Sequence, residues 1–395
     1  MTTFDVAIVG GGVTGSSIAY HLARQGVRVG VFEQTEPAAE PSASWASAGG
    51  VRSQGRDPRE WPLTLEATRR WPTLEDELDA DVGFARGGHL HIVEDPADLP
   101  ALTARVAREQ AAGIQIRMID GPELLDVAPP ITPTAIAGAY TVGDGQANPP
   151  KTTRAFAAAA RRHGADYRTG TPVSRLVVEG GRVTGLAAAG ELIAARWVVL
   201  AAGAWSERLA LGIGLDLPLR TRAPQMLLTD AAPSMLQPTV TGVGRQLSLK
   251  QLPTGEFLIG GGWPSDVLVD EGAMTGRVRE ESVAGSWVVA SAVVPAVRKQ
   301  RIAQRWCGLE AQCFDGVPLL GRAPGLDGLY LAAGFSGHGF QISPAVGRAV
   351  ADALMGHSVE ALEGLSPART LSFAPTAIAE FKSEPTGAMA AGLLG

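Results

Sequence analysis

"VAIVGGGVTGSSIAYHLARQGVRVGVFEQ", residues 6–34, is the stretch on which the fold turns. Residues 4–9 form a nearly continuous apolar, β-branched run, the pattern of a strand buried on both faces. Gly10, Gly12 and Gly15 follow as G-x-G-x-x-G, and the periodicity over 17–24 predicts a helix that stops at Gly26. A second strand is expected over 28–32, ending in Glu33, 18 residues after Gly15. Each motif residue then has a physical task. Gly10 permits a tight turn, Gly12 lets a pyrophosphate approach the backbone, and Gly15 allows the helix to pack closely on the strand. The helix N-terminus, Val13 and Thr14 included, offers partial positive charge to phosphates, and Glu33 can accept two ribose hydroxyls. An acid at 33 would repel a 2′-phosphate, so the motif reads as a site for NAD or FAD but not NADP.

The chain beyond residue 34 favours FAD. A short run of further strand-helix units would complete an NAD half. Here the second strand leads instead into "EPSASWASAGGVRSQGRD" (40–57), a loop of small residues suited to backbone contact with a ligand, and then a helical stretch over 59–78. The nucleotide fold resumes far downstream, where "RWVVLAAGAWSERLA" supplies a buried strand over 197–200, a small-residue turn over 201–203 and another helix. Between these lie segments that read as a second sheet. "GFARGGHLHIVED" (83–95) and "VGRQLSLKQLPTGEFLIGGGWP" (243–264) look like strands, the latter with a hairpin turn at "PTG". "PPKTTRAFAAAARRHGADYRTGTPVSRL" (149–176) reads as an amphipathic helix returning to the nucleotide half.

Composition bounds the class. A chain of 395 residues with 45% hydrophobic residues can bury a large core as one big or two interleaved domains. Its formal charge of −6 argues against nucleic acid as a partner. Two cysteines, Cys307 and Cys313, form no disulfide framework, which fits a reducing compartment. No targeting signal or membrane span stands out, so the expected location is the cytoplasm. His89 and His91 alternate on one predicted strand, but no third ligand with suitable spacing accompanies them, and no metal is expected.

Four blocks carry a likeness to a known family: residues 6–34, "SASWASAGGVRSQ" (42–54), "VVLAAGAWS" (198–206) and "DGVPLLGRAPGLDGLYLAAGFSGHGFQISPAVGRAVADAL" (315–354). On these the chain resembles the D-amino acid oxidase family of FAD-dependent oxidoreductases, nearest to the sarcosine oxidase β-subunit, glycine oxidase and proline dehydrogenase β-subunit group. The resemblance implies an α/β fold in which a Rossmann-like FAD-binding domain (1–80, 141–215, 305–365) is interleaved with a mixed-sheet substrate domain (81–140, 216–304), followed by a tail (366–395). It also implies a small amine or amino-acid substrate whose C–N bond is oxidised to an imine by hydride transfer to flavin N5. Ser343 reads as the cap and Pro344 as the first residue of the last helix.

The expected cofactor contacts combine motif and resemblance. They are Gly10, Gly12, Val13, Thr14, Gly15, Glu33, Gln34, Ser44, Ala48, Gly49, Val173 (through its backbone, to adenine), Ala202, Gly203, Gly334, Gly337, His338, Gly339, Phe340 and Gln341. The catalytic set is Arg52, His338 and Gln341, with Arg52 matching the arginine that binds a substrate carboxylate in sarcosine-oxidising relatives. Gln341 stands where some relatives carry a second cation, and Leu258 where they carry the lysine that promotes oxygen reduction, so slow reaction with oxygen is expected. Ala46 replaces the histidine of histidine-linked relatives, and Cys307 is one position away from the attachment cysteine of others, with Gly308 in its place. Non-covalent FAD is therefore expected. Two other functions stay open: a flavin subunit of a hetero-oligomer that passes electrons to a partner, and a non-catalytic FAD-binding scaffold.

Overall fold

The computed structural model describes residues 3–270 and 272–384. Its first strand, Thr3–Val9, pairs in parallel with Val29–Phe32 on one side and with Glu191–Leu200 on the other. Asp166–Arg168 extends the parallel sheet beyond Val29–Phe32. The ten-residue strand Glu191–Leu200 serves two neighbours: its first half takes the antiparallel hairpin Val173–Glu179/Arg182–Ala188, and its second half takes Leu329–Ala333 in parallel. Alternation explains why the first strand is apolar throughout. Val6 and Ile8 face a core built with the helices Val13–Arg24, Pro149–Arg162 and Gly339–Leu354, whereas Ala7 and Val9 face the core under the hairpin.

The second sheet has eight strands in the order Ile302–Cys307, Gln225–Ala231, Glu256–Gly260, Arg245–Gln251, Thr239–Gly242, His89–Val93, Ala137–Thr141, Ile116–Asp120. All its pairings are antiparallel except that of Thr239–Gly242 with His89–Val93. One face buries Leu247, Leu249, Phe257 and Ile259 against Val283 and Ala290 of the helix Glu280–Val293. The opposite face carries Met226, Thr239, Thr241, Ser248 and Gly260, residues small or polar enough to line a cavity. Two mixed sheets, each strung together from distant segments, give the α/β architecture expected from the sequence.

Local boundaries differ from expectation in instructive ways. The first helix begins at Val13, directly on the glycine turn, because Gly12 is its N-cap. The helix that the sequence reading placed last begins at Gly339, not at Pro344, and His338 is its N-cap. Pro344 therefore sits inside the helix, where it has no N–H for the carbonyl of Phe340; Ser343 Oγ donates to that carbonyl at 2.8 Å in its place. A proline that usually marks a helix start is tolerated here because its neighbour satisfies the orphaned acceptor. In the predicted tail, the helix Pro375–Ser383 returns to the body, where Arg220 donates to Phe381 O at 3.0 Å and lies over the Phe381 ring. Residues 385–395 of that tail lie outside the described residues.

Candidate active site

The glycine motif forms a cradle. Gly10 has a φ of +100°, and a Cβ there would lie 2.5 Å from Ala201 O, so only glycine fits. A Cβ at Gly15 would lie 2.0 Å from Gly10 O, which seats the helix on the turn. Ser44 Oγ accepts from Val13 N at 3.0 Å, tying the small-residue loop to the helix start. Glu33 closes the other side: Oε2 accepts from Gly11 N at 2.7 Å, and Oε1 from Thr35 N at 3.0 Å. An ionised carboxylate has lone pairs beyond these, so Glu33 keeps capacity for hydroxyl donors.

A cavity of about 860 Å³ runs from this cradle to the second sheet. At the cradle end it is lined by Gly10, Gly12, Val13, Thr14, Glu33, Gln34, Ser44, Ala48, Val173, Ala202 and Gly203. At the far end stand Gly334, Gly337, His338, Gly339, Phe340 and Gln341, with Arg52 between. Gly15 and Gly49 are not on its wall. Gly15 packs helix on turn, and Gly49 turns the loop at a φ of +68° where a Cβ would meet Ala147 O.

Arg52 is held as a free cation. Its guanidinium lines the cavity and has no hydrogen-bond or ion-pair partner among the described residues. Burial, then the like charge of Arg56, pulls it down to about 10, which leaves it charged at neutral pH. The loop that carries it is stapled to the second sheet. Buried Asp144 accepts from Ser53 N at 3.0 Å, from Ser53 Oγ at 2.6 Å and from Thr141 Oγ1 at 2.7 Å. Gln54 Nε2 donates to His89 O at 3.0 Å, and Arg56 Nη2 to Arg52 O at 3.1 Å.

At the far end, residues 334–338 join Leu329–Ala333 to the last helix through positive φ at Gly334, Ser336 and Gly337. Ser336 Oγ locks this turn by accepting from Cys313 N at 3.0 Å and donating to Gly334 O at 3.1 Å. The helix that follows has sixteen residues and no side-chain cap, so its first-turn amides are left for a ligand at the cavity wall. Gln341 is oriented differently from the clamp the sequence suggests. Its Nε2 donates to Thr64 O and Thr68 Oγ1, both at 3.2 Å, and its backbone oxygen accepts from Trp71 Nε1 at 2.8 Å.

The facing wall holds residues that the sequence reading missed as site residues: Arg222, Met226, Thr239, Thr241, Gln246 and Ser248 line it with His89. His91 Nδ1 lies 2.7 Å from Thr241 Oγ1. Burial, reinforced by Arg52 for His89 and by Arg105 for His91, keeps both imidazoles far below their usual range, and they are neutral. The register also pairs Leu258 with Lys250 on the next strand. Lys250 is buried, and burial alone pulls it down to about 7. A basic side chain thus stands beside the position where the resemblance expects one. Period-2 alternation was the available signal for this wall, but it needs the cross-strand register to show which face is the cavity.

A glycine cradle that excludes side chains, an acid beside it and a helix start at the far end of one cavity are the features of a dinucleotide-binding enzyme. Residues 5–353 match the family described as FAD dependent oxidoreductase (DAO), and the chain belongs to that family. It is 30% identical over 356 residues to a glycine oxidase of Geobacillus kaustophilus, covering 88% of this chain and 92% of that protein. It is 27% identical to an opine oxidase subunit of Agrobacterium tumefaciens, covering 85% of this chain and 90% of the relative. Among solved structures it is similar to L-proline dehydrogenase from P. horikoshii, with a TM-score of 0.86, 25% identity and coverage of 94% and 98%. The protein is an FAD-dependent oxidoreductase.

Proposed function

We propose that this enzyme oxidises the C–N bond of an amino acid or secondary amine, of glycine, sarcosine or proline type, to the imine. The observation that carries the reading is the unpaired guanidinium of Arg52 in the chamber facing the 334–341 loop. A planar, permanently charged fork is suited to a carboxylate. The names of relatives that act on glycine, opines and L-proline support the same substrate class.

Gly10, Gly12, Val13, Thr14, Glu33, Gln34, Ser44, Ala48, Val173, Ala202 and Gly203 would hold the nucleotide end of FAD, and residues 334–341 the ring end. When bound, FAD supplies the two-electron acceptor. The residues of the chain do the rest: Arg52 anchors the carboxylate and so fixes the direction of the α-hydrogen, and Met226, Thr239, Thr241 and Ser248 shape the facing wall. His338 stands at the chamber end beside the amine. In this reading Gln341 braces the helix Gly339–Leu354 against the helix Trp61–Arg70 and does not join Arg52 as an anchor. We assign 1–80, 141–215 and 305–365 to the FAD half and 81–140 and 216–304 to the substrate half.

Attachment of FAD is non-covalent in this proposal. A Cβ at Gly308 would come within 2.2 Å of Ala46 Cβ, so the chamber wall is closed there, and Cys307 packs instead against Gly276. Two buried free thiols support a reducing, cytoplasmic setting, and no helix among the described residues is long and apolar enough to cross a membrane. A second reading, a flavin subunit of a hetero-oligomer, rests on relatives named as subunits.

Anaerobic mixing of the FAD-loaded protein with primary and secondary amino acids of both hands, read by loss of flavin absorbance, tests the proposal. Bleaching by carboxylate-bearing amines is expected, and Arg52→Ala should weaken their binding by on the order of 2–5 kcal/mol while leaving uncharged amines unaffected. Bleaching by uncharged amines alone would reject the amino-acid reading. Bleaching that begins only when a partner protein is added would select the subunit reading.

A further inference from the structure

A second cavity, of about 300 Å³, lies beside the first and shares Arg56 and His338 with it. Its wall carries a concentration of buried polar atoms with no hydrogen-bond partner among the described residues. Arg56 Nη1, Trp61 Nε1 and Arg105 Nε are orphaned donors; both oxygens of Glu60 and Glu109 Oε2 are orphaned acceptors; His338 Nδ1 is orphaned as well. Buried polar atoms are nearly always bonded to protein or to ordered water. Donors and acceptors mixed around a space of this size are what several waters satisfy together. Exposed Arg108 stands at the rim, so the cavity leads outward.

His338 Nδ1 lies 3.4 Å from Glu60 Oε1, within ion-pair range but too poorly aligned for a hydrogen bond. Glu60 is 1% exposed and is not on the wall of the main chamber; among the described residues, His338 is the chamber-lining side chain within ion-pair range of it, while Arg56, which lines both cavities, acts on it through its charge. We propose that His338, Glu60 and the water of the side cavity form the route by which the proton of the substrate ammonium leaves the active site. The inference rests on the amine reading above and deepens it.

The balance is simple. Most amino acids arrive as ammonium, and the α-hydrogen can leave with its electron pair only once the nitrogen has recovered a lone pair. One N–H bond therefore breaks: its electron pair stays on nitrogen, and the proton passes to the His338 ring. The ring gives up a proton from Nδ1 to ionised Glu60, and Glu60 hands it to side-cavity water and bulk. FAD, when bound, would supply the oxidant that takes the α-hydrogen as hydride, and the iminium would be left. Burial pushes Glu60 up to about 7 against the pull of Arg56; Asp57 adds to the rise, and Arg52 and Arg59 oppose it. Arg105, Arg108, Glu109 and Asp315 complete the charged lining of the side cavity. A carboxyl poised there can cycle at neutral pH. Glu60 is a positioning and relay residue acting through His338.

The test reads Glu60 directly and does not depend on turnover. In FAD-loaded protein, infrared difference spectra between acid and alkaline pH should show a protonated carboxyl that titrates near neutrality, exchanges promptly in heavy water, and disappears in Glu60→Gln. Absence of such a band, or a band that resists exchange, overturns the route. Anaerobic flavin reduction supplies the second arm. Glu60→Gln should slow reduction by roughly tenfold or more at pH 6.5 and converge on the parent above the pKa of the substrate amine, where no proton has to leave. Glu60→Asp should recover much of the loss. Equal rates at pH 6.5, or a deficit independent of pH, overturns the route. A protein whose Glu60 band titrates and exchanges but whose flavin no amine bleaches overturns the amine reading and, with it, the assignment of the relayed proton to a substrate ammonium; a protein that amines bleach but whose Glu60 band is missing or resists exchange overturns the route alone.

Discussion

Lys250 shows how much a single residue can carry without leaving a trace in the sequence. Nothing in "QLSLKQL" marks it as different from an exposed strand lysine. Only the pairing with Leu258 and Thr239–Gly242 as neighbouring strand reveal that it is 3% exposed, with burial pulling it down to about 7. The native lysine is thus neutral between pH 7 and its ordinary range near 10.5, where the unfolded chain still holds the proton. The unfolded state binds more protons in that window, so stability rises with pH across it and is lowest below pH 7. Lys250→Met should raise stability by on the order of 4 kcal/mol at pH 7 and by little at pH 10. Urea denaturation at the two pH values measures it; an equal effect at both would show that Lys250 is solvated in the native state. Gly10, Gly12, Gly15 and Glu33 were legible because their meaning is local, fixed by one turn and its flanking strands. Lys250 and Glu60 were not, because each takes its character from elements distant in sequence.

At the scale of elements, two devices position the site, and each fails in a defined way. Asp144 accepts from three donors, Ser53 N (shared between its two oxygens), Ser53 Oγ and Thr141 Oγ1, and so pins the loop that carries Arg52. Asp144→Ala strands buried donors and releases that loop. It should cost on the order of 3–5 kcal/mol of stability and raise the KM for a carboxylate substrate more than it lowers kcat. Thermal denaturation and steady-state kinetics together check this, and a loss of kcat alone would separate the pin from carboxylate binding. The second device is Ser343, which substitutes for the amide that Pro344 lacks. Ser343→Ala leaves the Phe340 carbonyl buried and unbonded and should cost about 1–3 kcal/mol, whereas Pro344→Ala should be close to neutral. The same pair explains a boundary that the sequence put five residues too late: Ser-Pro is a strong helix-start signal, and only the tertiary setting shows that a side chain has taken over a backbone bond.

For the molecule as a whole, the chamber lies between two sheets whose strands come from widely separated segments, and in the proposed site FAD would reach from one to the other. Ligand binding of this kind stabilises by mass action, about 2.7 kcal/mol at a hundredfold excess over Kd. Stripping FAD should therefore lower the Tm, and adding it back should restore the Tm in a concentration-dependent way. Acid precipitation should send the flavin into the supernatant; colour retained in the pellet would instead indicate a covalent link and return attention to Cys307. The two-sheet plan was visible in the sequence because G-x-G-x-x-G, the resumption at 197–206 and the closing glycine loop are each strong signals. The facing wall of the chamber was not, since alternating strands reveal two faces without saying which one meets the cofactor.

The anchoring of the tail helix has a consequence in time. Arg220 is buried, yet the carbonyl and ring that receive it belong to Phe381, 161 residues later. At translation rates of about 5–20 residues per second, that guanidinium waits roughly 8–30 s on the ribosome for its partner. The strand Glu310–Cys313, which pairs with the strand of Arg220 and whose Gln312 accepts from Arg220 Nε at 3.0 Å, is synthesised before Phe381. A nascent chain at that stage presents an open basic notch to whatever meets emerging polypeptides, and the tail helix Pro375–Ser383 is the latch that withdraws it. Ribosome-bound chains halted at residue 374 should therefore be more accessible to trypsin at Arg220 than chains released at full length.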